Sequence, residues 1–445
     1  MLGEAARTES QAENYFNAYM NAIDEVGKLN LIKNLSNGVS IKISALHPRY
    51  EMRKIHNLES VLIPKLLELI HYAKSKDVEI TIDAEEQDRL SLSLHIIEML
   101  AYDKALKDWP GFGIALQAYG KRSHDVIYWL NTMLEKREKM HLRLVKGAYW
   151  DYEIKHAQVS GYEGYPVFSK KSLTDISFLS CARQILQNKK IYPKFATHNA
   201  HTISSISFLA KDSPYEFQRL YGMGELLYKS ASEVLGLDKR PSIYAPIGNY
   251  KDLLPYLVRR LLENGANSSF INRLLDPETD SKWLAENPMV RMKKETKEIP
   301  LPKDIFNKRE NSSGYDLTED ENLKRLESSL AKFENALVDA ESIYVGRVKS
   351  STSAHKAISV ANNKLIGSVT FDDPSNIENA ITNKSEPIWN HFSVDERSKV
   401  LQDIADHIEQ EPNQLIFYLI NEAGKTIQNA IDEIREAIDF LRYYS

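Results

Sequence analysis

Between residues 38 and 275 one rhythm of apolar and polar positions repeats along the chain. A short apolar run ends in a polar cluster, and an amphipathic stretch follows. The runs are Val39–Leu46, Val78–Asp83, Phe112–Tyr119, Leu142–Trp150, Phe195–His198, Phe217–Gly222 and Ile243–Gly248. Between them apolar residues recur at helical spacing, as in Leu58, Leu62, Leu66, Leu67 and Ile70, or Leu253, Leu257, Leu261 and Leu262. Seven runs separated by helices predict parallel strands joined by crossover helices.

A doubly wound sheet and a closed barrel share this rhythm, and the polar residues distinguish them. Lys42, Asp83, Gln117, Arg143 with Lys146, His198 with Asn199, Gln218 and Tyr244 stand at or near the C-terminal ends of their runs. Barrel enzymes build their sites from these ends, which converge on one mouth. A dinucleotide-binding sheet needs a glycine-rich first turn and an acidic residue some way on, and the sequence shows neither. The predicted class is α/β, a (β/α)8 TIM-type barrel over residues 1–285. Its remaining strand is expected at Met1–Ala6, clipped at its start.

Residues 286–318 change character. Lys293, Lys294, Lys297, Pro300, Pro302, Lys308, Arg309 and Gly314 punctuate a stretch with little apolar periodicity, which reads as a linker. Residues 319–445 follow as a smaller region: a helix over about 320–341, a strand pair around Asn362-Asn363, and three amphipathic helices.

Composition narrows the function. The 445 residues are 42% hydrophobic and 27% charged, with a net charge of −5. That balance lacks the basic face that nucleic acid requires. One cysteine, Cys181, cannot form an internal disulfide or a cysteine zinc site; its apolar neighbours suggest a buried thiol in a reducing setting. No stretch approaches the roughly 18 apolar residues of a membrane span, and the N-terminus lacks the pattern of a signal peptide.

The chemistry concentrates in a few segments. In Tyr256–Gly265 the adjacent Arg259 and Arg260 ride an amphipathic helix. Neighbours on a helix diverge by about 100°, so both reach one ligand only where a helix end overlooks it. Such a pair suits a carboxylate; the competing reading is a solvated basic edge. Leu142–Trp150 sets Arg143 and Lys146 on a buried-looking strand end, where an anionic or electron-rich partner is expected. A flavin meets this need, with Gly147 and Ala148 letting the backbone approach its ring; an internal salt bridge competes. Lys42 and Asp83 are candidates to pair across the mouth. His198 and His201 lack further metal ligands, so hydrogen bonding by Thr197, His198 and Asn199 to a cofactor is preferred over a metal. Gly222 and Gly224 suit a strand-to-helix turn.

Ser40–Tyr50, Ile82–Glu86, Arg143–Trp150, Phe195–Asn199 and Tyr256–Asn267 together resemble, in order, the proline dehydrogenase domain of bifunctional proline utilization A proteins. The resemblance implies a distorted (β/α)8 barrel with non-covalent FAD. It also implies that Arg259, Arg260 and Lys42 hold the L-proline carboxylate. Tyr149, Leu220, Tyr244 and Tyr256 would wall the proline ring, Asp83 would order Lys42, and Arg143 would lie near flavin N5. Gln117, Val145, Lys146, Gly147, Ala148, Trp150, Ser169, Thr197, His198, Asn199, Gln218 and Glu263 would hold the rest of the FAD. One departure is Ser242, where the family strand usually begins with a basic residue. Ala357–Asn362, Asn421–Thr426 and Glu436–Tyr444 resemble the N-terminal part of the aldehyde dehydrogenase-type partner enzyme. That enzyme needs a nucleophilic cysteine further along its chain, so its NAD-dependent activity is expected to be absent.

The resemblance implies oxidation of L-proline, with electrons passing to a quinone, in a cytoplasmic protein that makes at most peripheral membrane contact. A catalytically silent flavin- or partner-binding fragment and an unrelated barrel hydrolase are the competing hypotheses.

Overall fold

A computed structural model describes residues 5–33, 37–237, 240–248, 253–254, 256–258, 285–296, 298–342, 354–382 and 388–445. Its first seven strands lie on the apolar runs: β1 (Gly38–Ile41), β2 (Glu79–Ile82), β3 (Phe112–Gln117), β4 (Met140–Val145), β5 (Ile191–Ala196), β6 (Glu216–Leu220) and β7 (Ser242–Tyr244). They form one sheet in sequence order, each neighbouring pair parallel. The helices α1 (Glu9–Lys33), α2 (Ile55–Ser75), α3 (Leu90–Ala101), α4 (Ser123–Met133), α5 (Trp150–Ser160), α6 (Lys171–Gln187), α7 (Ala200–Ala210) and α8 (Glu225–Leu235) alternate with them. Leu58, Leu62, Leu66 and Ile70 form the buried stripe of α2, and Cys181 is buried in α6.

Strand periodicity sorts each strand into two faces. Val39, Ile41, Ile80, Ile82, Phe112, Ile114, Leu142, Leu144 and Phe195 are buried in the apolar core shared with the helices. The other face carries Ser40, Lys42, Glu79, Thr81, His141, Arg143, Lys194, Glu216 and Gln218. Several of these bond partners on strands that are not neighbours. Lys194 of β5 pairs with Glu79 of β2, and Arg143 of β4 donates to Ser40 of β1. Tyr244 of β7 donates to Asp83 at the end of β2. Such bonds form only when the sheet is curled, with its polar face concave.

The strand expected at Met1–Ala6 falls mostly on residues 1–4, outside the described residues. The amides of Ala5 and Ala6 donate to the Ser44 hydroxyl and carbonyl, beyond the end of β1, at 3.1 and 2.9 Å.

Residues Lys155–Gly164 and Pro300–Ser445 form a second compact unit, so the units divide at 299/300 and also around a segment that the sequence reading placed in the barrel. That stretch contains a helix, Pro288–Lys294, capped by the Asn287 side chain. In the second unit Arg435 donates to the carbonyls of Val159, at 2.6 Å, and Ser312. Its core gathers Leu323, Leu326, Ile416, Ile431, Ile434 and Ile438. The helix expected over 320–341 ends at Ala331. Val338–Glu341 is instead a strand, because it has a parallel partner in Leu365–Thr370. Leu365–Thr370 also pairs antiparallel with His355–Ile358, as expected around Asn362-Asn363, and Asn363 has a left-handed φ of 58°. Where three helices were expected after the strand pair, the described residues hold four: Pro374–Thr382, Val394–Gln410, Asn413–Asn421 and Ile427–Tyr444.

Gly113 of β3 lies beside His141, and a Cβ there would run into the His141 ring and carbonyl. Gly113→Ala is expected to destabilise the barrel by about 1–3 kcal/mol through overpacking. Denaturant unfolding followed by circular dichroism measures this.

Candidate active site

Strand ends on the concave face set up the site. Arg143 projects from β4 and is 8% exposed. Its Nε donates to Gln218 Oε1 at 2.7 Å, Nη1 to Asp83 Oδ1 at 2.7 Å, and Nη2 to Ser40 Oγ at 2.9 Å. Charge-assisted bonds to three strands hold a cation that would be costly to bury alone. Asp83 Oδ2 accepts from the Tyr244 hydroxyl at 2.9 Å, and the guanidinium lies 5.0 Å from the Tyr244 ring centroid. Burial and then the Asp83 charge hold the Tyr244 hydroxyl well above the ordinary tyrosine range. Tyr244 therefore gets its support from Asp83 and Arg143, and Ser242 at the strand start is exposed.

Lys42, 3% exposed, stands beside this cage. Its Nζ donates to the Tyr149 hydroxyl at 2.9 Å and lies 5.6 Å from that ring centroid, while its backbone amide donates to Tyr19 Oη at 3.0 Å. Asp83, expected to order Lys42, accepts from Arg143 and Tyr244.

The loop after β4 is the second part of the site. Gly147 has φ +135°, open to glycine but strained for other residues, and a Cβ there would strike the Tyr119 ring. The Ala148 amide donates to Gln117 Oε1 at 3.2 Å, and Gln117 Nε2 donates to the Glu85 carbonyl at 2.7 Å. Trp150 Nε1 donates to the Phe168 carbonyl at 2.9 Å, next to half-buried Ser169. Lys146 pairs with Asp175 of α6, and Val145 ends β4 half-buried.

The end of β5 forms the third part. Thr197 is buried and its carbonyl accepts from the Tyr228 hydroxyl at 2.8 Å. His198 Nε2 accepts from the Leu220 amide at 3.1 Å, and Asn199 caps α7 by accepting from the Thr202 amide. Gly224, with φ +71°, begins α8 beside His198, the strand-to-helix turn expected of it. Arg259, Arg260 and Glu263 lie outside the described residues, and Tyr256 is buried.

Ser40, Tyr119 and Glu153 were not among the residues singled out from sequence. Period-two spacing from Lys42 could have flagged Ser40, since both must face the same side of β1. Glu153, 2% exposed, accepts from the Gln87 amide at 2.8 Å and the Tyr119 hydroxyl at 3.1 Å.

Residues 1–273 match the family model described as Proline dehydrogenase, which is more than half of the 445 residues. This chain belongs to the proline dehydrogenase family. Its curled sheet and helices match that family's (β/α)8 barrel. Residues 348–445 match the Aldehyde dehydrogenase family. The bifunctional protein PutA of Escherichia coli strain K12 is 41% identical over 473 aligned residues, covering 100% of this chain and 36% of that protein. A crystal structure of a Bradyrhizobium japonicum PutA mutant has a TM-score of 0.86 at 38% identity, covering 100% of this chain and 43% of that one. PutA from Bdellovibrio bacteriovorus, in a structure titled as inactivated by N-propargylglycine, has a TM-score of 0.85 at 26% identity, covering 99% and 48%. The chain thus spans about a third of the curated PutA relative's length.

Burial, offset by the Gln87 and Tyr119 donors and reinforced by the charges of Asp88 and Glu86, pushes the Glu153 carboxyl up from 4.5 to about 7. A raised folded-state value means that its stabilising contribution is full below about pH 4.5 and is lost as pH rises through about 7. Glu153→Gln, which cannot ionise, is expected to be more stable than the parent at pH 8 by on the order of 1–3 kcal/mol. The difference should narrow toward pH 5, as thermal melts across pH would record.

Proposed function

We propose that the barrel oxidises L-proline to 1-pyrroline-5-carboxylate with FAD, and that electrons then pass to a quinone. The observation that carries this reading is the Arg143 cage at the strand ends, with Lys42 beside it and a glycine-bearing loop alongside. These residues fit a flavin. Gly147 presents bare backbone in a conformation other residues rarely adopt, exposed Ala148 adds little bulk, and Arg143 and Lys146 supply positive charge. Arg143 would hold the flavin near its redox nitrogen. Gln117, Lys146, Trp150, Ser169, Thr197, His198, Asn199, Gln218 and Glu263 would hold the remainder. When bound, the flavin would supply the acceptor for a hydride from the ring carbon next to the substrate nitrogen.

The chain's own residues do the rest by positioning. Lys42, with Arg259 and Arg260, clamps the carboxylate, so that binding energy is converted into proximity. Tyr149, Leu220, Tyr244 and Tyr256 enclose the ring and exclude water. The neutral amine is the reactive form, its proton leaving to solvent before the hydride departs. The inactivation of the Bdellovibrio protein by N-propargylglycine supports this reading, because that compound carries the carboxylate and secondary amine of proline.

A quinone acceptor implies contact with a membrane surface from the cytoplasmic side. Among the described residues no helix is long and apolar enough to cross the membrane. The proposal leaves out the second, NAD-dependent step, which calls for a nucleophilic cysteine, because Cys181, the one cysteine of residues 1–445, lies buried in α6.

The purified chain is expected to be yellow and to bleach anaerobically on adding L-proline. A yellow protein indifferent to proline would favour the silent flavin-binding reading. Lys42→Met should raise the proline KM by about tenfold or more, as befits a lost charged hydrogen bond, and the reduction rate should climb with pH toward the amine pKa. Stopped-flow reduction across proline concentration and pH checks both.

A further inference from the structure

We infer that Tyr119 and Glu153 are positioning residues, a buried prop that fixes the Lys146–Trp150 loop from beneath and through it sets the cofactor-facing backbone. This rests on the reading that the loop holds a flavin.

Tyr119 follows β3 and is 2% exposed. It meets the loop in three ways. Its amide donates to the Lys146 carbonyl at 2.7 Å. Its ring lies under Gly147 so closely that a Cβ there would overlap it. Its carbonyl accepts from the Phe168 amide at 2.8 Å, and the Phe168 carbonyl in turn accepts from Trp150 Nε1.

The hydroxyl decides how that ring is held. It donates to Glu153 Oε1 at 3.1 Å, and the same oxygen accepts from the Gln87 amide at 2.8 Å. Glu153 is tied to the loop by its own backbone, its amide donating to the Tyr149 carbonyl at 2.9 Å. The carboxylate therefore joins the segment after β2, the segment after β3 and the first turn of α5. Neither side chain belongs to the Arg143 cage, so each acts on the site through the loop. A buried hydroxyl bonded to a buried carboxylate fixes the ring's tilt, and the ring fixes Gly147. The bond is lost when either partner is truncated, and the remaining polar group is left buried.

The test uses the whole chain. Amide hydrogen exchange without FAD reads the loop directly, and titration with FAD followed by flavin fluorescence reads cofactor affinity. Tyr119→Phe and Glu153→Ala are expected to speed exchange at residues 146–150 and 168 by about tenfold or more, leaving β4 as protected as in the parent, and to weaken FAD binding by about tenfold. Glu153→Gln keeps an acceptor oxygen for both donors and should restore parental exchange and affinity. Unchanged exchange at 146–150, or exchange raised evenly over residues 38–244, overturns the prop. A loosened loop with parental FAD affinity overturns the positioning role. A parent chain that takes up no FAD while its exchange follows the expected order sinks the flavin reading and supports the prop.

Discussion

A guanidinium inside a barrel needs acceptors, and the architecture around Arg143 follows from that need. Leaving it unpaired would cost several kcal/mol. No single neighbouring strand can bond Nε, Nη1 and Nη2 at once. The three acceptors come from β6, the end of β2, and β1. Bringing these to one point curls the sheet and fixes the period-two register, because a slip of one residue would turn Arg143 into the apolar layer. It also asks for small residues on β3, where Ala115 stands beside Arg143 and Gly113 beside His141.

Polarity continues below the site. Thr81 Oγ1 and His141 Nε2 are 2.8 Å apart, and Lys194 pairs with Glu79. Burial first, then the nearby positive charges of Lys194 and Arg143, drives the His141 pKa well below its ordinary value, so the ring is neutral. At the opposite end from the site, Arg137 is 1% exposed and donates to the carbonyls of Lys139, Ala101 and Trp109, with burial pushing its pKa down to about 10. The charges near the site are thus balanced by carboxylates, whereas this lower one rests on backbone carbonyls.

Much of this was legible in the sequence because periodicity is local. The seven runs landed on seven strands, and Lys42, Asp83, Gln117, Arg143 and Gln218 fall at strand ends on one face. The partners were not legible. Arg143 reaches residues 60, 75 and 103 positions away, and Tyr244 reaches Asp83 across 161. Spacing alone cannot say which of several strand-end charges meet inside a curl, nor that the Tyr149 hydroxyl lies within reach of Lys42. Tyr119 was hidden for a related reason. An aromatic residue closing an apolar run looks like core, and only the left-handed Gly147 above it shows what the ring supports. Over 332–341 the helical pattern misled because strand partners recruit a weakly periodic segment whenever a free edge lies beside it.

The cage also sets the charge that a ligand meets. Tyr244 stays protonated, so it can only donate to Asp83, and that bond turns the carboxylate's other oxygen toward Arg143. A phenol that ionised there would place two anions side by side and release the guanidinium from its alignment. With Asp83 committed in this way, the aspartate charge answers Arg143, and Lys42 donates to the Tyr149 hydroxyl. A mouth that holds Arg143 on Asp83 and Lys42 on a tyrosine hydroxyl suits the proposed ligand, which brings its own carboxylate. Under the proposed reading the anionic end of the ligand belongs on the Lys42 side, and the uncharged ring belongs against Tyr244, where adding charge would cost most.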